Sequence, residues 1–199
     1  MAPVPDRPVP VRPIPDRPII RGERVWLRPV ESAEMLDGSI EDADLAHYAG
    51  FRRSFSRTET EHFLQQLVAA EDTVNFAICQ LGSDQMIGFC GLRDINRVDG
   101  SAEVAIHLGD PATWGQGLGT DAMRALVDFG FGELRLERIW LRVFDYNERA
   151  IRSYEKVGFV KEVLLRHDRF HRGAFHDVHL MGIIRPDWEA DDRRRSWDY

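Results

Sequence analysis

Three alternating glycines directly precede an amphipathic helix in the middle of this chain. They are Gly115, Gly117 and Gly119. Apolar residues between positions 118 and 129 recur at helical spacing and predict a helix that ends near Gly132. The N–H groups of a glycine-rich turn and of a helix N-terminus together make a binding site for pyrophosphate. This stretch therefore predicts a ligand that carries phosphate groups.

A second informative block runs from Asn147 to Phe159. Asn147 is placed to cap a helix, and Gly158 stops that helix where a left-handed residue is required. Tyr154 shares one helical face with Ala150 and Ile151, so its phenol is expected to point toward the sheet. An anion cradle and an inward-facing phenol in adjoining helices indicate group transfer from a phosphorylated carrier.

Length and charge exclude several classes of protein. A chain of 199 residues is long enough for one well-cored domain. The net charge of −7 argues against general affinity for nucleic acid, which depends on neutralising phosphates. Neither a membrane-spanning apolar run nor a secretory leader is recognisable, so we expect a cytoplasmic protein without membrane contact. Cys79 and Cys90 are predicted to be packed free thiols.

Three segments are expected along the chain. Residues 1–20 form a proline-rich N-terminal arm, because seven of the ten prolines fall within the first 19 positions. Residues 21–185 form one domain, and residues 186–199 form a charged tail at the surface. The arm is predicted to be a solvated, extended segment, with recognition by a proline-binding partner as the alternative.

The hydrophobic pattern predicts an α+β fold. The order of the elements implies a single mixed, largely antiparallel sheet of six to seven strands, flanked by about four helices. An acidic region from Glu31 to Asp44 is predicted on one or two short helices, and Thr58 to Ala70 on a clearer one. Asp168 to Phe175 is predicted as a loop before the last strand. The predicted strands are 25–29, 74–81, 86–92, 102–108, 139–143, 159–165 and 178–184.

These blocks, taken in order, resemble GNAT-type N-acetyltransferases. Within that superfamily the chain is similar to the branch that contains ribosomal-protein N-terminal alanine and serine acetyltransferases, polyamine acetyltransferases and some aminoglycoside acetyltransferases. Trp114 departs from the glutamine or arginine of the wider superfamily pattern, but tryptophan is common there in this branch. The resemblance covers roughly residues 21–185. Its blocks are 24–29, Ala102-Glu103-Val104, 114–120, 147–159 and His176-Asp177-Val178.

The resemblance implies acetyl-CoA as cosubstrate and no metal. Amides from Gln116 to Thr120 would hold its pyrophosphate, and the backbone around Leu108 and Gly109 would pair with the pantetheine arm. Asn147 would cap its helix and contact the same arm. The implied cofactor-binding residues are Leu108, Gly109, Trp114, Gly115, Gln116, Gly117, Leu118, Gly119, Thr120, Asn147, Ala150 and Tyr154.

The same resemblance implies the catalytic residues. Tyr154 would be the general acid that protonates the departing coenzyme sulfur, whereas a packed aromatic role is the structural alternative. Glu103 would be the base that removes the ammonium proton through water, with His107 as a second candidate on the same strand face. Transfer would be direct, within a ternary complex and without a covalent acetyl-enzyme.

Several amine acceptors fit such an enzyme. The first choice is the N-terminal amine of a protein or peptide, and the second is a cationic small molecule, either a polyamine or an aminoglycoside. The acidic region from Glu31 to Asp44 could attract such cations or consist of solvated helix faces. A non-catalytic acyl-CoA-binding module is the competing class, and the resemblance allows a homodimer. Four C-terminal histidines lack ligand spacing for a metal site: His167, His171, His176 and His179.

Overall fold

The described part of the computed structural model comprises residues 20–30 and 70–199. Three predicted segments lie outside these residues: the proline-rich arm except Ile20, the acidic region from Glu31 to Asp44, and the helix predicted from Thr58 except Ala70. The described ranges contain the strands of the sheet, the glycine-rich turn and the C-terminal half of the chain.

One sheet of eight strands organises the described residues, in the spatial order β1-β2-β3-β4-β5-β6-β8-β7. It confirms the predicted α+β class, although it has one or two strands more than expected. The strands are β1 (Ile20–Arg21), β2 (Val25–Pro29), β3 (Val74–Gln80), β4 (Met86–Asn96), β5 (Ser101–Leu108), β6 (Arg138–Phe144), β7 (Val160–His171) and β8 (Ala174–Ile184).

Neighbouring strands run antiparallel except at the centre, where β5 and β6 are parallel. Their pairing covers three residues on each strand, Ser101–Glu103 against Arg138–Trp140. Beyond Glu103 the remaining five residues of β5 continue without a paired neighbour on the β6 side. A gap therefore opens in the middle of the sheet.

Three α-helices and one 3₁₀ turn accompany the strands in the described ranges: Pro111–Thr113 (3₁₀), α1 (Leu118–Gly132), α2 (Glu148–Glu155) and α3 (Arg185–Ala190). About four helices were predicted for the whole chain. α1 follows the predicted bounds because its apolar stripe packs into the core that also holds Leu92 and Ile139. α2 ends before Gly158, whose φ of +109° confirms the left-handed stop. None of these helices is long and apolar enough to cross a membrane.

The loop predicted from Asp168 to Phe175 is wrong. β7 continues to His171 and β8 begins at Ala174, joined by a tight turn in which Arg172 and Gly173 have φ of +46° and +80°. Much of this hairpin is exposed, so its sequence lacks the alternation of apolar and polar residues that marks a half-buried strand. Cross-strand pairs such as Phe170 with Phe175 hold it together instead.

The C-terminal segment, expected at the surface, instead packs against α1. Its anchor is Asp128 of α1, which is 1% exposed. One carboxylate oxygen accepts from the Trp188 indole at 2.7 Å and the other from the Ser196 amide at 2.8 Å, while the Arg193 guanidinium contacts both. The sequence does not show this packing. The segment has charges of both signs, as a solvated tail has, and its partner on α1 lies about sixty residues away.

We predict that Asp128→Ala destabilises the protein by about 3–5 kcal/mol, because the change removes the buried counter-ion of Arg193. It also leaves the Trp188 indole and the Ser196 amide without their acceptor. Urea unfolding monitored by tryptophan fluorescence measures the loss. Asp191→Asn is the matched control, since Asp191 contacts the same Arg193 at 3.1 Å from an exposed position. That control is expected to cost at most about 1 kcal/mol. Equal losses in the two variants would contradict the anchoring role of Asp128.

Candidate active site

The gap between β5 and β6 opens into a cavity of about 310 Å³. Three parts of the chain surround it: the end of β5, the glycine-rich turn with the start of α1, and α2. Polar and apolar groups contribute in similar measure. The lining residues are Ile106, His107, Leu108, Thr113, Trp114, Gly115, Gly117, Leu118, Gly119, Thr120, Asn147, Arg149, Ala150, Arg152, Ser153, Tyr154 and Lys156.

The glycines adopt conformations that other residues resist. Gly115 and Gly117 have φ of +75° and +81°, and Gly117 begins α1 without any side-chain cap. The first N–H groups of α1 therefore lack intrahelical acceptors at the cavity wall. A side chain on Gly119 would meet Leu108 at 3.3 Å, whereas one on Gly115 would meet nothing within 4 Å. Backbone conformation thus explains Gly115 and Gly117, and close packing explains Gly119.

Two residues fix the start of α1 against the N-terminal strands. Asp121 accepts hydrogen bonds from the backbone N–H groups of Glu23, Arg24 and Val25 at 2.9–3.0 Å. The Arg24 guanidinium donates to the carbonyl of Gln116 at 2.7 Å. The glycine-rich turn is consequently held from outside the cavity, and its inner side is left for a ligand.

Trp114 joins the turn to β5 and α2. Its indole Nε1 donates to the Leu108 carbonyl at 3.2 Å, and the Arg149 guanidinium carbon lies 3.6 Å from its ring centroid. Such stacking is a cation–π contact. The residue that departs from the wider superfamily pattern therefore connects three walls of the cavity.

The end of β5 presents backbone groups to the gap. The Gly109 N–H donates to the Ile87 carbonyl at 3.0 Å, so it is engaged by β4. Alternation along an antiparallel pair then turns the N–H and C=O groups of Leu108 and Ile106 away from β4. The Leu108 N–H and the backbone of Ile106 thus offer the groups that sequence reasoning assigned to Leu108 and Gly109, because the Leu108 carbonyl is engaged by Trp114.

Tyr154 lies half-buried on α2 at the cavity wall. Burial raises the pKa of its phenol to about 12, against a smaller opposing effect of the nearby Arg149 charge. The ring packs edge-on against Phe159, with 6.2 Å between centroids. Within the described part of the chain its hydroxyl has no protein hydrogen-bond partner. The phenol is therefore protonated at neutral pH and can donate its proton to a ligand.

Asn147 and Ser153 fix the position of α2. Asn147 caps the helix as predicted, because its side-chain oxygen accepts from the Ala150 N–H at 3.2 Å. The Ser153 and Thr120 hydroxyl oxygens are 2.7 Å apart and join α2 to α1 at the cavity. Asn147 is buried and lines the cavity, which leaves its amide nitrogen for a ligand.

The two candidate bases occupy different surroundings. Glu103 is buried and its two carboxylate oxygens are held by Arg93 at 2.9 and 3.1 Å, outside the cavity lining. His107 lines the cavity, and its ring lies 4.9 Å from that of Phe89. The structure thus separates the first choice of base from Tyr154 and places the second choice beside the cavity.

Most predicted cofactor residues meet at this one cavity. The exceptions are Gly109, engaged by β4, and Gln116, whose side chain turns back to the Ala112 carbonyl at 2.7 Å. Sequence reasoning missed Arg149 and Ser153. They lie four residues apart in the second block and so share one side of its predicted helix, which could have indicated them.

The C-terminal histidines form aromatic contacts. His176 packs on Tyr146 with 4.9 Å between centroids, and one of its ring nitrogens lies 3.1 Å from the His171 carbonyl. Residues 20–30 and 70–199 contain no cluster of histidine, cysteine and carboxylate side chains suited to a metal ion.

Comparison with known proteins identifies the family. A model described as an acetyltransferase (GNAT) domain matches residues 24–160. The chain belongs to this family. It is 29% identical over 171 residues to N-acetyltransferase p20 of Bacillus licheniformis, covering 83% of this chain and 96% of that protein. The enzyme class and fold predicted from the sequence are thereby confirmed.

Spermidine acetyltransferases are also among the relatives of this GNAT chain. The spermidine N(1)-acetyltransferase of Escherichia coli K12 is 35% identical over 106 residues, covering 53% of this chain and 56% of that protein. The structure of a Vibrio cholerae spermidine N-acetyltransferase in complex with CoA and spermine has a TM-score of 0.74 at 24% identity. The match covers 83% of this chain and 98% of that one, and supports the fold.

We predict that Gly117→Ala weakens acetyl-CoA binding about tenfold or more, because alanine resists the left-handed conformation by about 1–2 kcal/mol and the cradle amides turn away. Isothermal titration measures the affinity. Gly82→Ala is the matched control, since Gly82 has φ of +86° with no atom near its missing Cβ, in the turn between β3 and β4. It should lose similar stability without losing affinity. Unchanged affinity in Gly117→Ala would contradict the cradle.

Proposed function

We propose that this GNAT protein transfers the acetyl group of acetyl-CoA directly to a primary amine of a polyamine such as spermidine. One observation carries the reaction type. The protonated phenol of Tyr154 lines the same cavity as the uncapped N-terminus of α1. A helix end suited to a pyrophosphate and a proton donor for a leaving group therefore line one cavity.

Backbone groups hold the acyl carrier in this proposal. The amides of Gly117 to Thr120 bind the pyrophosphate at the positive end of α1. The Leu108 N–H and the backbone of Ile106 pair with the amides of the pantetheine arm in place of the missing β6 partner. Acetyl-CoA itself supplies a thioester that an amine can attack. Asn147 donates to the arm from the opposite wall.

Acetyl transfer then proceeds in one exchange of bonds. The lone pair of a neutral amine attacks the acetyl carbonyl, so a C–N bond forms and the C–S bond breaks. Tyr154 gives its proton to the departing sulfur, and the excess proton on the new amide nitrogen passes through water to the solvent. The phenol regains its proton from the solvent, and the chain ends unchanged.

A covalent acetyl-enzyme is not part of this proposal. Cys79 and Cys90 are fully buried, and neither belongs to the cavity lining. Burial raises the pKa of the Cys90 thiol far above its usual range, so the reactive thiolate is disfavoured. The proposed route is therefore a direct attack by the amine, without a cysteine nucleophile.

The base stays a prediction with two candidates. Glu103 can take a proton only through a relay, because Arg93 occupies both of its oxygens outside the cavity lining. His107 stands at the cavity and needs no relay across the strand. Water alone is sufficient when the acceptor amine arrives neutral.

The choice of a polyamine rests on relatives and on charge. Identity of 35% to a spermidine N(1)-acetyltransferase over 106 residues favours this acceptor over the N-terminal amine ranked first from the sequence. Residues 31–44 carry six carboxylates and no lysine or arginine. Such a segment attracts a polycation more strongly than a singly charged N-terminus.

We predict that Tyr154→Phe lowers kcat about 10²- to 10³-fold with little change in the affinity for acetyl-CoA, since only the proton donor is lost. Release of the coenzyme thiol measures the rate. Tyr146→Phe is the matched control and should keep full activity. Tyr146 lies outside the cavity lining and stacks on Phe144, with 4.9 Å between the ring centroids. An unimpaired Tyr154→Phe enzyme would remove the tyrosine from the mechanism.

The pH profile of the wild type provides an independent check. A general acid works only while protonated, so activity due to Tyr154 falls as pH rises through its pKa of about 12. The rate should therefore increase with pH as the acceptor amine loses its proton, with no decline from Tyr154 below about pH 11. A descending limb near neutral pH that disappears in Tyr154→Phe would contradict this assignment.

An acceptor panel decides the substrate class. We predict that kcat/KM for spermidine or spermine exceeds that for peptides beginning with alanine or serine by about 100-fold or more, because the peptide amine lacks the additional charges. Aminoglycosides and free amino acids complete the panel. Preference for a peptide would reject the polyamine and restore the first choice from the sequence. Binding of acetyl-CoA with no turnover on any amine would favour the acyl-CoA-binding module.

A further inference from the structure

A second cavity lies beside the first turns of α1. It is separate from the acetyl-transfer cavity, the name we give to the cavity between the end of β5, the glycine-rich turn and α2. It has a volume of about 270 Å³ and sits between the turn that precedes β2, the side of α1 and the C-terminal segment. Four arginines line it, drawn from all three of these parts of the chain. We call it the arginine cavity, and its arginines are Arg21, Arg124, Arg193 and Arg194.

Three of these guanidinium groups have no carboxylate partner in the described part of the chain. Arg193 is neutralised by Asp128 and Asp191. Arg124 donates one N–H to the Lys156 carbonyl at 2.9 Å, and Arg194 donates one to the Asp198 carbonyl at 2.6 Å. Arg21 makes no side-chain hydrogen bond within these residues.

Within the described chain, three arginine Nε atoms of the arginine cavity are buried without a hydrogen-bonded acceptor, and one of them, that of Arg193, still lies 3.1 Å from a carboxylate oxygen of Asp191. The Nε atoms of Arg21 and Arg124 are shielded from solvent and have no hydrogen-bond partner in residues 20–30 and 70–199. A buried donor without an acceptor destabilises the folded chain, and a charged donor does so more strongly. The geometry therefore favours an anion placed between the two side chains.

The carboxylates that line the cavity do not provide this anion. Asp121 is already engaged by three backbone N–H groups. Asp128 is engaged by Trp188, Arg193 and the Ser196 amide. Glu23 is exposed and lies 3.4 Å from the Tyr199 hydroxyl. A local excess of positive charge thus remains in a chain whose net charge is −7.

We propose that the arginine cavity binds a phosphate group, with Arg21 and Arg124 as its principal contacts. Planar guanidinium groups match phosphate oxygens through paired hydrogen bonds and keep their charge at every physiological pH. The cavity has room for a phosphate and part of the molecule that carries it. The phosphate comes either from a free phosphate compound or from the phosphate on the ribose of CoA.

Both sources are compatible with the position of the cavity. Arg124 donates to the carbonyl of Lys156, and Lys156 also lines the acetyl-transfer cavity. Arg24, next to Glu23 in the same turn, reaches the glycine-rich turn at Gln116. A phosphate here would therefore join α1, the turn before β2 and the C-terminal segment immediately behind the cradle.

The test uses the full chain and inorganic phosphate as the probe. Dephospho-CoA, which lacks the ribose phosphate, is present at saturation to occupy the cradle, and ³¹P NMR follows phosphate binding. We expect Arg21→Gln/Arg124→Gln to weaken phosphate binding about tenfold or more, because the variant loses the charge-assisted hydrogen bonds of both guanidinium groups. Arg97→Gln/Arg166→Gln removes the same charge from exposed positions and should bind phosphate as the wild type does.

A second titration separates the two sources. If the variant of Arg21 and Arg124 loses affinity for CoA but not for dephospho-CoA, the phosphate belongs to the carrier. If it loses only inorganic phosphate, the ligand is a separate phosphate compound. Either loss supports the site, and it does so whichever amine the enzyme acetylates. The proposal would be overturned if the variant, the control and the wild type had the same affinity for phosphate, the same affinity for CoA and the same affinity for dephospho-CoA.

Folding of the variants is controlled directly. Arg21 and Arg124 form no ion pair in the described chain, so their replacement should leave the melting temperature within a few degrees of the wild type. Arg194→Gln, at an exposed position, gives an independent variant with a smaller expected loss of phosphate affinity. A full loss of binding in the control pair would show that net charge alone acts, and would also overturn the proposal.

Discussion

The short parallel contact between β5 and β6 is the constraint on which the rest of this structure depends. Three paired residues on each strand hold the two halves of the sheet together, and the strands separate where that contact ends. Backbone groups of Ile106 and Leu108 are then directed into the gap instead of toward a neighbouring strand. Polar backbone left unpaired at a sheet edge favours an extended ligand with amides of its own. The cavity beside Tyr154 opens where the two strands separate.

Two aspartates on α1 keep the opposite side of the cavity in place. Asp121 binds the amides of the turn before β2, and Asp128 binds the C-terminal segment. Both carboxylates are engaged by these distant segments, and within the described residues no side chain caps the N-terminus of the helix. Rigid support from distant parts of the chain lets an uncapped helix end persist without closing on itself. The same two aspartates also line the arginine cavity.

Local sequence signals predicted the elements that carry the chemistry. The glycines, the helix that follows and the Asn147 cap depend on backbone conformation and short-range spacing, which a sequence displays directly. Contacts between distant residues were not predictable in this way: the Arg93–Glu103 pair, the Ile87–Gly109 bond and the packing of Trp188 on Asp128. The hairpin at Arg172 and Gly173 was missed because exposed strands need no apolar alternation.

Initial-velocity kinetics test the central claim most directly, that acceptor and acyl carrier meet in one cavity. Rates are measured over a matrix of acetyl-CoA concentrations and concentrations of the amine with the highest turnover. Direct transfer in a ternary complex predicts double-reciprocal lines that intersect. Parallel lines, together with an acetylated protein recovered when the amine is omitted, would indicate a covalent intermediate and contradict the account.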